Sequence, residues 1–138
     1  MIDYNNKIFD IIDKVRDLLA QEMTIPIFFD SHQGNHSIVI QPLSDNLTEL
    51  IATGQTRNYS IMIAYELNTG GNYTQNTLKQ VTNVAEHIKR LFAPDNNFSV
   101  SGYWHNGEIE SVEYERFEDD ESTIRALLTF NCLSLEVS

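Results

Sequence analysis

The sequence predicts one α+β domain spanning residues 1–138, in which two amphipathic helices pack on a mostly antiparallel sheet with a long C-terminal β-hairpin. Two segments repeat apolar residues at the helical period, and several others alternate apolar and polar residues. A chain of 138 residues is long enough to bury one sizeable core without disulfides. The order of helix, strands, helix and hairpin-linked strands favours helices packed against an antiparallel sheet.

The first helix is predicted from Asp3 to Glu22. Its apolar residues share one face at the helical period: Ile8, Ile11, Ile12, Val15, Leu18 and Leu19. Asp3 is expected to cap its start, because a carboxylate accepts hydrogen bonds from the first amides of a helix. The acidic residues on its polar face favour a core role over binding to anionic lipid.

Two short strands follow the first helix. Thr24 to Asp30 contains Pro26, which cannot donate to a ladder and therefore predicts an edge strand. Ser37 to Gln41 is the second strand.

The segment between these strands contains residue types that bind metals. Asp30, His32 and His36 lie close in sequence, but this spacing presents two imidazoles together only on a helix. Gly34 and its turn-rich neighbours argue against a helix there. No metal site is therefore predicted.

The middle of the chain contains a polar segment and then a strongly alternating one. Pro42 to Thr56 is predicted to be an irregular contact loop, with one helical turn around 46–51. Arg57 to Leu67 is predicted as a strand, and its core face is Tyr59, Ile61, Ile63, Tyr65 and Leu67.

The second helix is predicted from Tyr73 or Thr74 to Phe92, after a turn at 68–72. Pro94 stands just past its end, where proline is common. Its apolar face is Leu78, Val81, Val84, Ala85, Ile88, Leu91 and Phe92.

The last third predicts a three-stranded meander of residues 97–105, 108–117 and 122–137. Asn106 and Gly107 both tolerate positive φ angles and predict a type I′ turn between the first two strands. A turn of four carboxylates is predicted between the last two: Glu118, Asp119, Asp120 and Glu121. The return strand has one apolar face, which is Ile124, Ala126, Leu128, Phe130 and Cys132.

The predicted hairpin is long for a domain of this size. Sixteen residues in a strand reach roughly 50 Å at about 3.3 Å each. We expect such an arm to overhang an ordinary small sheet, so that another element receives it or it bends.

The charge of the chain limits its partners. Twenty acidic and nine basic residues give a formal charge of −11. Broad attraction to DNA needs lysines and arginines, so specific nucleic-acid binding is not expected. An acidic wall is nevertheless a suitable lining for a passage through which DNA slides. Charge alone does not distinguish this role from ordinary solubility, which is the commoner explanation of such a charge.

Composition also suggests a compartment and argues against catalysis. The single cysteine, Cys132, is predicted to be a small buried hydrophobe, which fits a reducing compartment. The sequence shows no secretory signal and no stretch of eighteen apolar residues, so no membrane segment is expected. No nucleophile with a base, paired carboxylate cleft, nucleotide loop or EF-hand is recognisable, so the prediction is a protein without enzyme activity or cofactor.

The whole pattern resembles the tail terminator proteins of tailed bacteriophages, also called tail-completion or head-to-tail joining proteins. The resemblance covers nearly the full chain in the order and lengths of its elements. The similar features are the opening helix, the edge segment 24–29 with Pro26, the strand Arg57 to Leu67, the helix ending at Ile88 to Phe92, and the segment Tyr114 to Ser122 before a terminal strand.

The resemblance implies a ring, usually a hexamer, that caps the tail tube, ends its polymerisation and joins it to the head or neck. The implied partners are other copies of the chain, the tail tube protein, a head-completion or connector protein, and the tail sheath if the tail contracts. DNA would pass without specific binding. The implied location is the virion, after assembly in the host cytoplasm.

Eight residues are candidates for the channel lining or the subunit interface in such a ring. The acidic hairpin would either line the channel or dock against a neighbour through the arginines. The candidates are Arg57, Glu115, Arg116, Glu118, Asp119, Asp120, Glu121 and Arg125.

Two other functions remain open from the sequence. One is another phage structural part, such as a neck or baseplate adaptor. The other is a small acidic protein-binding module of the inhibitor or immunity type, which would spread carboxylates over one face.

Overall fold

The α+β fold class is confirmed in a computed structural model, which describes residues 1–69, 75–117 and 120–137. One layer of helices packs on one sheet. The elements are α1 (Lys7–Glu22), β1 (Ile27–Phe28), β2 (His36–Ile51), β3 (Gly54–Asn68), α2 (Gln75–Leu91), β4 (His105–Phe117) and β5 (Asp120–Val137). Neither helix is long and apolar enough to cross a lipid bilayer.

The strands form one mixed sheet in the order β1-β2-β3-β5-β4. The four long strands are antiparallel to their neighbours, whereas β1 pairs in parallel with β2. The edge position predicted for the segment around Pro26 is confirmed, although β1 has only two residues. The Pro26 carbonyl still accepts a hydrogen bond from the Ile38 amide at 2.9 Å.

Both helices cover the same face of the sheet, which we call the helix-covered face. The apolar faces predicted for β3 and β5 both lie there and are buried. Helix α1 contributes Ile11, Ile12, Val15 and Leu19 to this core, and α2 contributes Val81, Ala85 and Ile88.

The opposite face of the sheet, which we call the open face, has no helix of the described ranges on it. In β3 its residues are Asn58, Ser60, Met62, Ala64 and Glu66. In β5 its residues are Arg125, Leu127, Thr129, Asn131 and Leu133. Most of these side chains are only partly buried, and none belongs to the main core.

The ends of the helices differ from the prediction in one respect. Asn6, not Asp3, caps α1, because its side-chain oxygen accepts a hydrogen bond from the Phe9 amide at 3.2 Å. The helix therefore starts at Lys7. The predicted turn from 70 to 72 and the predicted helix start at Tyr73 or Thr74 lie outside the described residues.

The prediction of an irregular loop from Pro42 to Thr56 was wrong. Strand β2 continues to Ile51, and Gly54 begins β3 after a two-residue turn. From Gln41 onwards the side chains of β2 are exposed on both faces. This part of the strand therefore lacks the apolar alternation from which strands are predicted.

The strand predicted at 97–105 was also wrong. Most of this segment is turns, with a single bridge between Val100 and Trp104. Asn106 does take the predicted positive φ, of 52°, but it lies in a bulge at the start of β4 and not in a hairpin turn. A positive φ angle occurs both in a type I′ hairpin turn and in a β-bulge, so the Asn106-Gly107 dipeptide alone does not distinguish the two.

The long C-terminal hairpin exists, but it does not need a partner from outside the chain. Strand β3 pairs with β5 over its whole length, from Gly54 opposite Val137 to Asn68 opposite Thr123. Asp120 and Glu121 of the predicted turn belong to β5, whereas Glu118 and Asp119 lie outside the described residues. The expectation that the arm overhangs the sheet was therefore wrong.

Buried Cys132 is confirmed on the core face of β5, with 1% of its surface exposed. Burial raises the pKa of its thiol to about 12, so the reactive thiolate is scarce at neutral pH.

Gly107 is tightly packed beneath the aromatic rings at the start of β4. A Cβ atom there would lie 2.7 Å from Trp104 Nε1 and 3.0 Å from Phe130 Cζ. We expect Gly107→Ala to lower the free energy of unfolding by about 1–3 kcal/mol, because ring carbons must move to admit a methyl group. Urea denaturation measures this change.

Asn106→Gly is the matched control in the same bulge. Glycine accepts the positive φ of Asn106, so we expect a change within about 0.5 kcal/mol. Equal stability of Gly107→Ala and the unchanged protein would contradict the packing argument.

Candidate functional site

The edge strand β4 carries a row of carboxylates along the open face. Glu108, Glu113 and Glu115 are paired with Asn131, Leu127 and Arg125, which all belong to that face. Their side chains are exposed. Glu110 lies in a bulge between Ile109 and Ser111. The open face therefore presents a band of negative charge at the β4 side of the sheet.

The predicted site residue Arg125 lies inside this band. In register it stands between Glu66 on β3 and Glu115 on β4. Arg125 Nη2 is 2.6 Å from Glu66 Oε1, and both side chains are mostly buried. The sequence prediction of Arg125 and Glu115 thus identified two neighbours, but it missed Glu66, which lies on another strand. Because this arginine already has a carboxylate partner within its own chain, docking to a neighbour is not needed to neutralise it.

A serine and a histidine, Ser37 and His32, lie beside the Glu66 carboxylate on the β2 side of the ion pair with Arg125. Ser37 is opposite Glu66 in register, and its hydroxyl lies 2.9 Å from His32 Nδ1. The Gln33 amide donates to the same hydroxyl at 3.2 Å, so the hydroxyl hydrogen is available to His32. Ser37 is only 1% exposed, which keeps a substrate away from its oxygen. The cluster therefore fixes the turn before β2 and is not arranged for nucleophilic attack.

The same cluster predicts a pH dependence of stability. Burial lowers the pKa of His32, Glu66 raises it, Arg125 lowers it, and the Ser37 hydrogen bond raises it, with a net decrease from 6.5. The folded state therefore binds this proton less readily than the unfolded state, and stability is lost as the pH falls below about 6.5. We expect the urea midpoint to fall less steeply between pH 7.5 and about 5.5 in His32→Gln than in the unchanged protein. Identical pH profiles would contradict this role of His32.

The predicted site residue Arg57 lies at the other end of the sheet. Arg57 Nε is 2.5 Å from Asp45 Oδ1, and its Nη1 donates to Gln55 Oε1 at 2.7 Å. Gln55 in turn donates to Glu136 Oε2 at 3.1 Å, and Tyr59 donates to the other oxygen of Glu136. Arg57 therefore belongs to a network that ties β2, β3 and β5 together.

A groove of about 600 Å³ lies beside this network. Residues 3–5 and Lys7 border it on one side, and Gln55 and 135–137 border it on the other. In the described part of the chain, no group of three or more His, Cys, Asp or Glu residues is placed to hold a metal ion.

The other predicted site residues lie near the tip of the C-terminal hairpin. Arg116 is exposed on β4 opposite Ile124, on the same side as the helices. Asp120 and Glu121 belong to β5. Glu118 and Asp119 lie outside the described residues. Arg57 and Arg116 are thus at opposite ends of the sheet and do not form one site.

An apolar surface that the sequence analysis missed lies on the outer part of β2. Leu43, Leu47, Leu50 and Ile51 are exposed, and Leu50 is 72% exposed. We call these four residues the β2 apolar edge. The only signal in the sequence was the recurrence of leucine in the otherwise polar segment 42–56. Leucines exposed together are uncommon unless they meet a partner.

Comparisons with known proteins add no identification. No model of a known protein family matches the chain, and no curated protein matches its sequence.

Proposed function

We propose that this chain is a structural protein of a tailed bacteriophage that closes into a ring of six copies and caps the tail tube. The proposal starts from the resemblance to tail terminators in the order of elements. It agrees with the fold, because the resemblance implies a sheet flanked by helices, and here two helices pack on one sheet.

The observation that carries the proposal is the difference between the two faces of the sheet. One face is covered by both helices, and the other has no helix in the described ranges and carries Glu66, Glu108, Glu113 and Glu115. In a ring with the helices outside, the open face lines the channel. Carboxylates there repel the phosphates of passing DNA, so that DNA slides without binding.

The dimensions support a channel of useful width. Four long strands from each of six copies would make a closed sheet of 24 strands. At about 4.8 Å between strands, its backbone diameter is about 35–50 Å, depending on the tilt of the strands. Such a barrel leaves an aqueous lumen that admits double-stranded DNA.

The ring would have different partners at its two ends. One end would contact the tail tube protein and stop its polymerisation, and the other would contact a head-completion, connector or neck protein. A contractile tail would add contacts with the sheath. The protein would assemble in the host cytoplasm and remain in the virion.

Light scattering and negative-stain imaging test this proposal. We expect the purified protein to form rings, and we expect its addition to growing tail tubes to end their growth with a ring at one end. Tubes without the protein serve as the control and should keep growing. A monomer at high concentration that leaves tube growth unchanged would overturn the proposal. Binding of such a monomer to a basic protein would instead favour the acidic inhibitor-type module.

A further inference from the structure

Each of the two outermost long strands has a backbone edge that, over most of its length, pairs with no other strand of the described residues. Strand β1 pairs with β2 only at Ile38 and Val39, and within the described residues no strand pairs with that edge from Gln41 to Ile51. Strand β4 ends the sheet on the other side. Exposed edges of this length usually meet another strand or are protected from doing so.

The directions of the strands allow these two edges to meet between identical copies. The sheet order β2-β3-β5-β4 alternates strictly, so β2 and β4 run in opposite directions. Copies arranged around a ring share one orientation. The β2 edge of one copy therefore meets the β4 edge of the next as an antiparallel pair, and the sheet continues without a change of pattern.

The backbone pattern can be followed to each edge. The Ile38 amide donates outward to Pro26, so β2 residues on the helix-covered face direct their backbone groups away from β3. In the free part of β2 these residues are Asp45, Leu47 and Leu50, opposite Tyr59, Arg57 and Gln55. Inward and outward backbone groups alternate in the same way across β3 and β5. The β4 residues whose backbone groups point to the outer edge are therefore Ile109, Val112 and Tyr114.

We propose that the free part of β2, with its apolar edge, pairs with β4 of a second copy of this chain, head to tail. This inference rests on the proposed ring and adds which two strands join its subunits. The paired residues carry their side chains on the helix-covered side, so Leu47 and Leu50 pack against Val112 and Tyr114. The acidic row of β4 stays on the open face.

The heights of the two segments fit a closed barrel. Leu47 is level with Ser134 on β5, whereas Val112 is level with Leu128, six residues away. If Leu47 of one copy pairs with Val112 of the next, each copy is shifted along the strand direction by six residues, or about 20 Å. The four strands of one copy span about 19 Å across the sheet. The resulting tilt of about 45° is close to the roughly 35–45° typical of barrels.

The two symmetric junctions are less favourable. Pairing β4 with β4 brings two rows of glutamates together, because Glu113 and Glu115 would face their copies across the junction. Pairing β2 with β2 leaves both β4 edges exposed in the dimer. The head-to-tail junction uses both edges and avoids the contact between like charges.

Cysteine cross-linking distinguishes these junctions in the full-length protein. Cysteine replaces Leu47 in one variant and Tyr114 in a second, and a third variant has both changes. A short bis-maleimide then joins nearby thiols, while buried Cys132 stays unreactive because of its raised pKa. We expect a ladder of multimers only for the double variant. Val112→Cys with Leu47→Cys tests a neighbouring register.

The single variants decide the symmetry. Dimers from Leu47→Cys without Tyr114→Cys would overturn the head-to-tail junction in favour of β2 with β2. Rings without cross-links in either double variant would also overturn it, while the proposed function would stand. A protein that forms no ring, either alone or on tail tubes, and leaves tube growth unchanged would overturn both.

A second experiment tests the apolar contact by light scattering. We expect Leu47→Asp with Leu50→Asp to reduce the ring to monomers, and to leave the circular dichroism spectrum unchanged because both side chains are exposed. The control is Leu78→Asp, since Leu78 is 43% exposed and belongs to α2, not to either of the two paired strands. Rings of full size in the double variant would contradict the proposed contact.

Discussion

Phe130→Ala is expected to lower the free energy of unfolding by about 3–5 kcal/mol, which is a large part of the stability of a domain this size. Phe130 is fully buried, and its ring centroid lies 4.8 Å from that of Phe92 and 5.2 Å from that of Trp104. Truncation leaves a cavity between α2, β4 and β5. Urea denaturation followed by tryptophan fluorescence measures the loss directly, because Trp104 borders the cavity.

Leu133→Ala on the same strand is the matched control for this prediction. Leu133 lies on the open face and is only partly buried, so we expect a loss of about 1 kcal/mol. The two variants differ mainly in the face from which the side chain is removed. Similar losses in both would contradict the assignment of the core to the helix-covered face.

Charge reversal of the acidic row is expected to change DNA binding more than any other substitution on the open face. Replacing Glu108, Glu113 and Glu115 with lysine puts three cations on one strand of that face. For a single chain, the logarithm of the DNA association constant then falls with the logarithm of salt concentration with a slope of about −3. A ring that encloses DNA multiplies these contacts, so the slope becomes several times steeper. Fluorescence anisotropy with a labelled DNA duplex at several salt concentrations measures the slope for the single chain and for the ring.

The control puts the same change of charge on the other side of the molecule. Asp3, Asp10 and Glu86 are exposed on the N-terminal segment and the two helices. We expect the variant with lysine at these three positions to bind DNA more weakly than the variant with lysines on β4, because the outside of a ring touches DNA along one line only. Equal binding by the two triple variants would argue against an enclosed open face.

The elements that bury one face were predictable from the sequence. In α1, β3 and β5 the apolar residues recur at 3.6 or 2 residues because each element has one dry side and one wet side. The alternation therefore identified two strands, Tyr59 to Leu67 and Ile124 to Cys132, and the face of each that packs against the helices.

The outer half of β2 was not predictable in this way. Asp45 to Leu50 has solvent on both faces, so apolar and polar residues do not alternate, and backbone pairing with β3 determines the structure. In the segment 97–105, Phe98, Val100 and Trp104 alternate by chance within turns. Local sequence did not distinguish these cases, because tertiary pairing outweighs propensity.

The candidate site was predicted in part for the same reason. Glu115 and Arg125 belong to adjacent strands of one hairpin, and their proximity follows from its register. The ion pair of Arg125 with Glu66 joins residues 59 positions apart, and that of Arg57 with Asp45 depends on an unpredicted strand. Pairing across distant segments carries no local signal in a single sequence.

The central seam between β3 and β5 also has a consequence for folding kinetics. It aligns Gly54 with Val137 at one end and Asn68 with Thr123 at the other, so each contact closes a loop of more than fifty residues. The β2-β3 and β4-β5 hairpins can each form in microseconds. Pairing β3 with β5 is slower, because it requires closure of the long loop between them. We therefore expect refolding within milliseconds to seconds, with docking as the slow step.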